Sequence, residues 1–360
     1  VFGVSSGLRL DYVRHGEVAS FMEQSVVAQG RQVLGLARWG GAQTQAPWPH
    51  AAATVQAPLG EMDLPVLALG DTDEPVWEVW SLVATEPIRH GMLGQQGCVR
   101  YAAHGDLVFA SVDMDAAPDV GLRDAACWAY DELFKSLAEL GFPHPLRLWN
   151  HVPGILDEDA GQERYRLFNA GRQDAFLAHA RSIADGAPAA CALGYPPEQS
   201  GVPPHLTLYL LASRRPPVPV ENPRQVSAYR YPPQYGERSP TFSRACWWAD
   251  GADRHFFVSG TASIVGHQTV HVGDVIAQTH ETLHNIAALI EQVNAQPGAG
   301  QWTAADLRLK VYVRHLADLE AVRGVIAQRW PEVAEPLCLH AVVCRPDLLV
   351  EIEAAASGTV

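Results

Sequence analysis

The chain runs twice through one order of elements (strand, helix, strand) on either side of a proline-rich segment, and that order limits its fold most. In the first half, residues 124–140 (DAACWAYDELFKSLAEL) place apolar side chains at helical spacing behind an aspartate. Residues 146–150 read as a strand, 161–183 as a second long helix and 205–212 as another strand. The second half follows suit. A strand over 256–264 leads through Gly266 and Gly273 to a helix over 274–292, a strand over 307–313 and a helix over 318–330. Residues 339–343 and 349–352 read as closing strands. Repeated order of this kind predicts an α+β protein of two related units, each a mixed sheet packed by helices. The stretch 214–219 (RRPPVP) marks the boundary, so the predicted domains are 1–215 and 216–360. The first hundred residues, rich in Ala, Gly, Trp and Pro, carry short apolar runs at 65–69 and 76–83 that read as strands joined by turns.

Composition excludes several classes of function. With 360 residues the chain is long enough for two cores. Its net charge of −14 and scattered basic residues argue against a nucleic-acid surface. That negative field repels anions at long range, so an acidic ligand has to be captured by a local group of arginines. Lys135 and Lys310 are the only lysines, which makes Schiff-base chemistry a poor expectation. The six cysteines form no C-x-x-C pair and read as reduced thiols. No apolar leader opens the sequence, and no apolar run of about eighteen residues occurs. The expectation is a soluble, cytoplasmic protein with no membrane contact.

A group of arginines stands in residues 220–244, VENPRQVSAYRYPPQYGERSPTFSR. Prolines stiffen this segment, holding guanidinium and phenol groups at low conformational cost. Guanidinium forks grip carboxylates through paired charge-assisted hydrogen bonds. Further on, Glu351 and Glu353 in LLVEIEA share one face of a strand, with Val350 and Ile352 on the other. Cys344 is separated from Glu351 only by RPDLLV, so a turn can bring thiol and carboxyl together. A glutamate desolvated by apolar neighbours has a raised pKa and can serve as a general acid at neutral pH. Gly260, at a strand end in FFVSGTASIVG, permits close approach of backbone and ligand, or forms a plain bulge. Tyr165 and Arg172, seven apart in ERYRLFNAGRQDAF, share a helix face if the helix runs unbroken through Gly171. The pentapeptide at 280–284, HETLH, spells the zinc-peptidase motif H-E-x-x-H. No metzincin pattern follows it, and it reads as a polar helix face.

Taken in order, RLWNHVPGI (147–155), ERYRLFNAGR (163–172), VENPRQVSAY with YGERSPTFSRA, SGTASIVGH (259–267) and CRPDLLVEIE (344–353) resemble the chorismatase family. The fold of that family is related to the small RidA-like, chorismate-mutase-like proteins. The resemblance spans residue 147 to the C-terminus and is weaker in the N-terminal third. It implies cleavage of chorismate with release of pyruvate, without metal or organic cofactor. Gly260 and Cys344 are similar to the branch that forms 3-hydroxybenzoate, with 4-hydroxybenzoate from bifunctional members; the hydrolytic branch tends to alanine at these places. Glu351 is implied as the proton donor to the enolpyruvyl methylene carbon. Arg172 and Arg238 are implied as carboxylate ligands, with Tyr165, Tyr209 and Tyr229 as hydrogen-bond partners. The rival readings are a RidA-like imine hydrolase and a non-catalytic metabolite-binding protein. Against the first, the substrate-binding arginine of the small proteins falls near 336–339, where this chain reads PLCL.

Overall fold

Alternation of side chains along the strands decides the layering. The computed structural model describes residues 7–40, 61–64, 68–69, 75–84, 86–115, 121–159, 161–195 and 205–359. Among them, two seven-stranded mixed sheets and one four-stranded sheet share a central core. The first large sheet runs, in spatial order, Val342–Val343, Ala189–Gly194, His144–Val152, His205–Ser213, Leu107–Asp115, Val99–His104 and Arg89–Leu93. In strand His205–Ser213, Tyr209 and Leu211 face the shared core, whereas Leu208, Leu210 and Ala212 face the helices Leu122–Leu140 and Arg164–Ala178. The second large sheet runs Val218–Val220, Ala245–Asp250, Asp253–Ala262, Val350–Thr359, Arg308–Val313, Leu337–His340 and Ala68–Leu69. There Phe257 and Tyr312 face the shared core, while Phe256, Val258, Val311 and Val313 pack under the helices Val275–Asn294 and Leu319–Arg329. The protein is therefore α+β, with helices outside and the inner faces of the sheets together. The third sheet, Arg9–Arg14, Val76–Val83, Arg31–Trp39 and Glu61–Leu64, adds Trp39 and Trp80 to the shared core and covers its other face with Val18, Met22 and Val26.

Most expected elements lie close to their predicted bounds, and the differences have local causes. The helix expected over 161–183 is shorter, Arg164–Ala178. Before it, Gln162–Glu163 pairs with Glu158–Asp159 as a small hairpin; after it, Ala180 takes a left-handed φ of 50°. Gly171 does not break this helix. A Cβ there would lie 2.0 Å from the carbonyl oxygen of Arg123, so the glycine lets the two helices touch backbone to backbone. Asp274 caps the helix Val275–Asn294 by accepting from the Ala277 amide at 3.0 Å. The run expected at 65–69 lies outside the described residues except for Ala68–Leu69.

Two short strands cross the boundary at 215/216. Val342–Val343 pairs with the end of Ala189–Gly194, and Ala68–Leu69 pairs with Leu337–His340. Among the described residues, no helix is long and apolar enough to cross a membrane.

Candidate active site

A β-bulge brings backbone and carboxyl together at the seam of the large sheets. Strands Asp253–Ala262 and Val350–Thr359 are antiparallel, with Val258 opposite Ala354 and Thr261 opposite Ile352. Ser259 and Gly260 thus stand against Glu353 alone. The Ser259 hydroxyl donates to the Ser243 carbonyl at 2.5 Å and accepts from the Ala190 amide at 2.9 Å, tying the bulge to the first large sheet. Beside it, Gly260 lies against Glu351 so closely that a Cβ would sit 2.0 Å from Oε1. No other residue fits this backbone without moving the carboxyl.

The two glutamates of the strand have opposite surroundings. Both are buried on the same strand face. Glu353 accepts from Lys310 Nζ at 2.8 Å, Trp149 Nε1 at 2.7 Å and the Arg147 guanidinium. Burial alone pushes Glu353 up, but Lys310 and Arg147 outweigh it and hold the carboxyl at about 2. Burial pushes Glu351 up to about 8, and the ionised Glu353 beside it pushes the same way. At neutral pH Glu353 is a carboxylate and Glu351 a carboxylic acid. Two carboxyls with pKa values driven this far apart are the mark of a site that stores one proton for transfer.

Glu351 opens into a cavity of about 620 Å³. Gly260, Cys344 and Tyr165, all singled out from the sequence, line it with Glu351. The Cys344 thiol is pushed up to about 12, first by burial and then by Glu351, so it stays protonated at neutral pH. Tyr165 is likewise raised, by burial and then by Cys344. The stiff segment 220–244 supplies one wall with Tyr231, Tyr235, Phe242 and Arg244. Arg345 stacks over it, its guanidinium carbon 4.4 Å from the Tyr235 ring centre and 5.3 Å from that of Tyr231, while Nη1 donates to the His267 carbonyl at 3.0 Å. Arg244 donates to the Tyr231 hydroxyl at 2.8 Å and to the Val226 carbonyl at 2.7 Å; its buried Nε has no partner among the described residues. An unpaired buried donor on a cavity wall is costly unless a ligand or water satisfies it.

Four residues implied by the resemblance stand away from the cavity lining. Tyr209 is buried in the shared core, stacked on Trp149 at 4.6 Å, with its hydroxyl 3.4 Å from both Glu78 and Lys310. Tyr229 donates to Asp185 at 2.8 Å. Arg238 is half-exposed and turned toward Asp174 at 3.9 Å. Arg172 is buried over the Phe168 ring, donating to Asn169 at 3.2 Å. Sequence reasoning had not singled out Arg345; Arg244, Tyr231 and Tyr235 belong to the segment 220–244 that it read as gripping carboxylates, without being picked out there from Tyr229 and Arg238. An irregular segment has no period to reveal which side faces inward. In HETLH, Glu281 pairs with Arg224 at 2.6 Å, and among the described residues no three His, Cys, Asp or Glu side chains gather as a metal site.

A carboxyl with a raised pKa facing a cavity walled by arginines and tyrosines has the composition that general-acid chemistry on a small anionic substrate requires. Residues 78–212 match the family model described as "Chorismatase FkbO/Hyg5-like, N-terminal". Over 334 residues the chain is 36% identical to a 3-hydroxybenzoate synthase of Streptomyces hygroscopicus, covering 90% of this chain and 91% of that one. It is 43% identical over 268 residues to a chorismatase of Streptomyces rapamycinicus, covering 72% and 77%. The 1.08 Å crystal structure of a chorismatase superposes with a TM-score of 0.82 at 31% identity, covering 98% of this chain and 99% of that one. The chain belongs to the chorismatase family.

Proposed function

We propose that this enzyme cleaves chorismate into pyruvate and 3-hydroxybenzoate. The observation that carries this reading is Glu351, a buried acid protonated at neutral pH, facing a cavity lined by Arg166, Arg244 and Arg345. Chorismate is a dianion with an enol ether. Arg345 and Arg244 match its carboxylates, with Tyr165, Tyr231 and Tyr235 as hydrogen-bond partners. Arg172 stands two turns further along the helix that carries Tyr165. Glu351 then gives its proton to the enolpyruvyl methylene carbon. The ether becomes an oxocarbenium ion, and its bond to ring C3 breaks with both electrons moving to oxygen, so pyruvate leaves as a neutral ketone group. C3 is left electron-deficient. Capture by water, with loss of a proton to the Glu351 carboxylate, yields the diene diol. Attack of the C4 hydroxyl oxygen on C3, with its proton passing to the Glu351 carboxylate, gives an epoxide. Opening of its C4–O bond and transfer of the C3 proton to the oxygen yield 3-hydroxybenzoate, whereas direct loss of the C4 proton yields 4-hydroxybenzoate, and neither route consumes water.

Gly260 and Cys344 favour the aromatic outcome, as does the name of the 36% identical relative. A glycine that lets the acid sit against the backbone and a protonated thiol beside it leave little room for water. Six free cysteines suit the reducing cytoplasm. The test is incubation of purified protein with chorismate, following pyruvate and separating ring products by chromatography. Equimolar pyruvate and 3-hydroxybenzoate are expected. The diol as main product would move the enzyme to the hydrolytic branch, and absence of pyruvate would sink the reading.

A further inference from the structure

Of the two lysines, Lys135 lies on the surface and Lys310 is fully buried in the strand Arg308–Val313. Lys310 stands opposite Glu353 in the strand register. Its ammonium lies 2.8 Å from Glu353 and 2.6 Å from Glu78, and Arg147 holds Glu353 from the other side. Glu78 in turn accepts from Trp80 Nε1 at 2.8 Å and Trp39 Nε1 at 3.3 Å. The order Glu78, Lys310, Glu353, Arg147 alternates in sign, sums to zero and draws on all three sheets. Replacing a buried ion pair by apolar side chains is often neutral or stabilising, so stability is a weak reason for such a row. Its third member, Glu353, however, lies two residues from Glu351 on the same strand face.

We propose that Lys310 and Arg147, with Glu78 behind them, act as positioning residues that fix a permanent negative charge on Glu353 beside the proton donor Glu351. The inference rests on the reading of Glu351 as general acid and adds what keeps it loaded. Facing Glu351 are Glu353 from its own strand, Arg147 and Cys191 from the first large sheet, Tyr312 from the neighbouring strand, Tyr165 from the helix and Cys344 from the loop. Arg147 is turned to Glu353. Among the described residues Glu351 makes no ion pair; burial first and the Glu353 carboxylate next push its pKa up, and together they outweigh the opposing charge of Arg147. The raised pKa of Glu351 and the depressed one of Glu353 agree with this geometry.

The experiment follows the infrared band of a protonated carboxyl against pH in the substrate-free protein, assigned to Glu351 by its loss in Glu351→Gln. The pH dependence of kcat/KM for pyruvate release is measured alongside. In the parent, band and kcat/KM are expected to fall together near pH 8. In Glu353→Gln both midpoints should drop by at least one unit, giving about a tenfold loss at pH 8 and above and near-parental activity at pH 5–6, with KM little changed. Lys310→Met combined with Glu353→Gln removes one charge of each sign, and serves if the single variant does not fold; it should shift the same way. A uniform loss of activity at every pH, with the band midpoint unmoved, would overturn the proposal in favour of a purely structural role. A parental band that titrates in the ordinary carboxylate range would overturn it too. A parent whose band behaves as expected but that releases no pyruvate would leave the network standing and remove the proposed function.

Discussion

Adding a single methyl group at Gly260 tests the site most directly, because the structure states what it would strike. The new Cβ of Gly260→Ala would lie 2.0 Å from Glu351 Oε1, 2.8 Å from its Cδ and 2.9 Å from Cys191 Cβ. Real Cβ contacts stay beyond 3.0 Å, so the carboxyl has to retreat by about 1 Å, because Cys191 is itself buried. A displacement of about 1 Å from productive geometry can cost on the order of 100-fold in rate, or about 2.7 kcal/mol of barrier. The overpacked core should lose a further ~1–3 kcal/mol of folding stability. The assay is steady-state pyruvate release at pH 7 with a urea denaturation curve on the same samples. A fall in kcat with little change in KM is expected, since the arginine wall is untouched. If Gly260→Ala keeps kcat within a few-fold of the parent and loses no stability, the close approach of backbone and acid is not what the site requires.

Three further outcomes are expected. Glu351→Gln should lower the rate ~100- to 10,000-fold while still binding chorismate. Because the folded pKa of Glu351 is raised from 4.5 to about 8, the parent loses stability as pH rises from about 4.5 to 8, by at most about 5 kcal/mol. The Gln variant lacks this loss and should gain on the parent between pH 4.5 and 9 in urea denaturation; a constant difference across that window would contradict the raised pKa. Arg345→Ala should weaken chorismate binding by about 2–5 kcal/mol in calorimetry, whereas Arg238→Ala, half-exposed and outside the cavity, should cost less than about 1 kcal/mol; the reverse ranking would return the clamp to Arg238. Gly260→Ala combined with Cys344→Ala should shift the remaining product from hydroxybenzoate toward the diol, and an unchanged product ratio by chromatography would leave both residues as packing.

Local periodicity made much of this protein legible. Apolar spacing outlined the helix Leu122–Leu140, and period two put Glu351 and Glu353 on one face, because such patterns repeat within a few residues. The α+β class follows from the same local signals. What tertiary structure alone decided is the difference between those two glutamates. Glu353 is an anion because Lys310, Arg147 and Trp149 converge on it from strands 43 to 206 residues away, and Glu351 is an acid because nothing of that kind reaches it. The bulge at Ser259 and Gly260 depends on a register between two distant strands. In 220–244 the chain has no repeating geometry, so which tyrosines and arginines face the cavity was set by packing against Arg345 and His267. Sequence spacing reports the neighbours along the backbone; the charge of a buried group is fixed by neighbours through space, and only the assembled sheets bring those together.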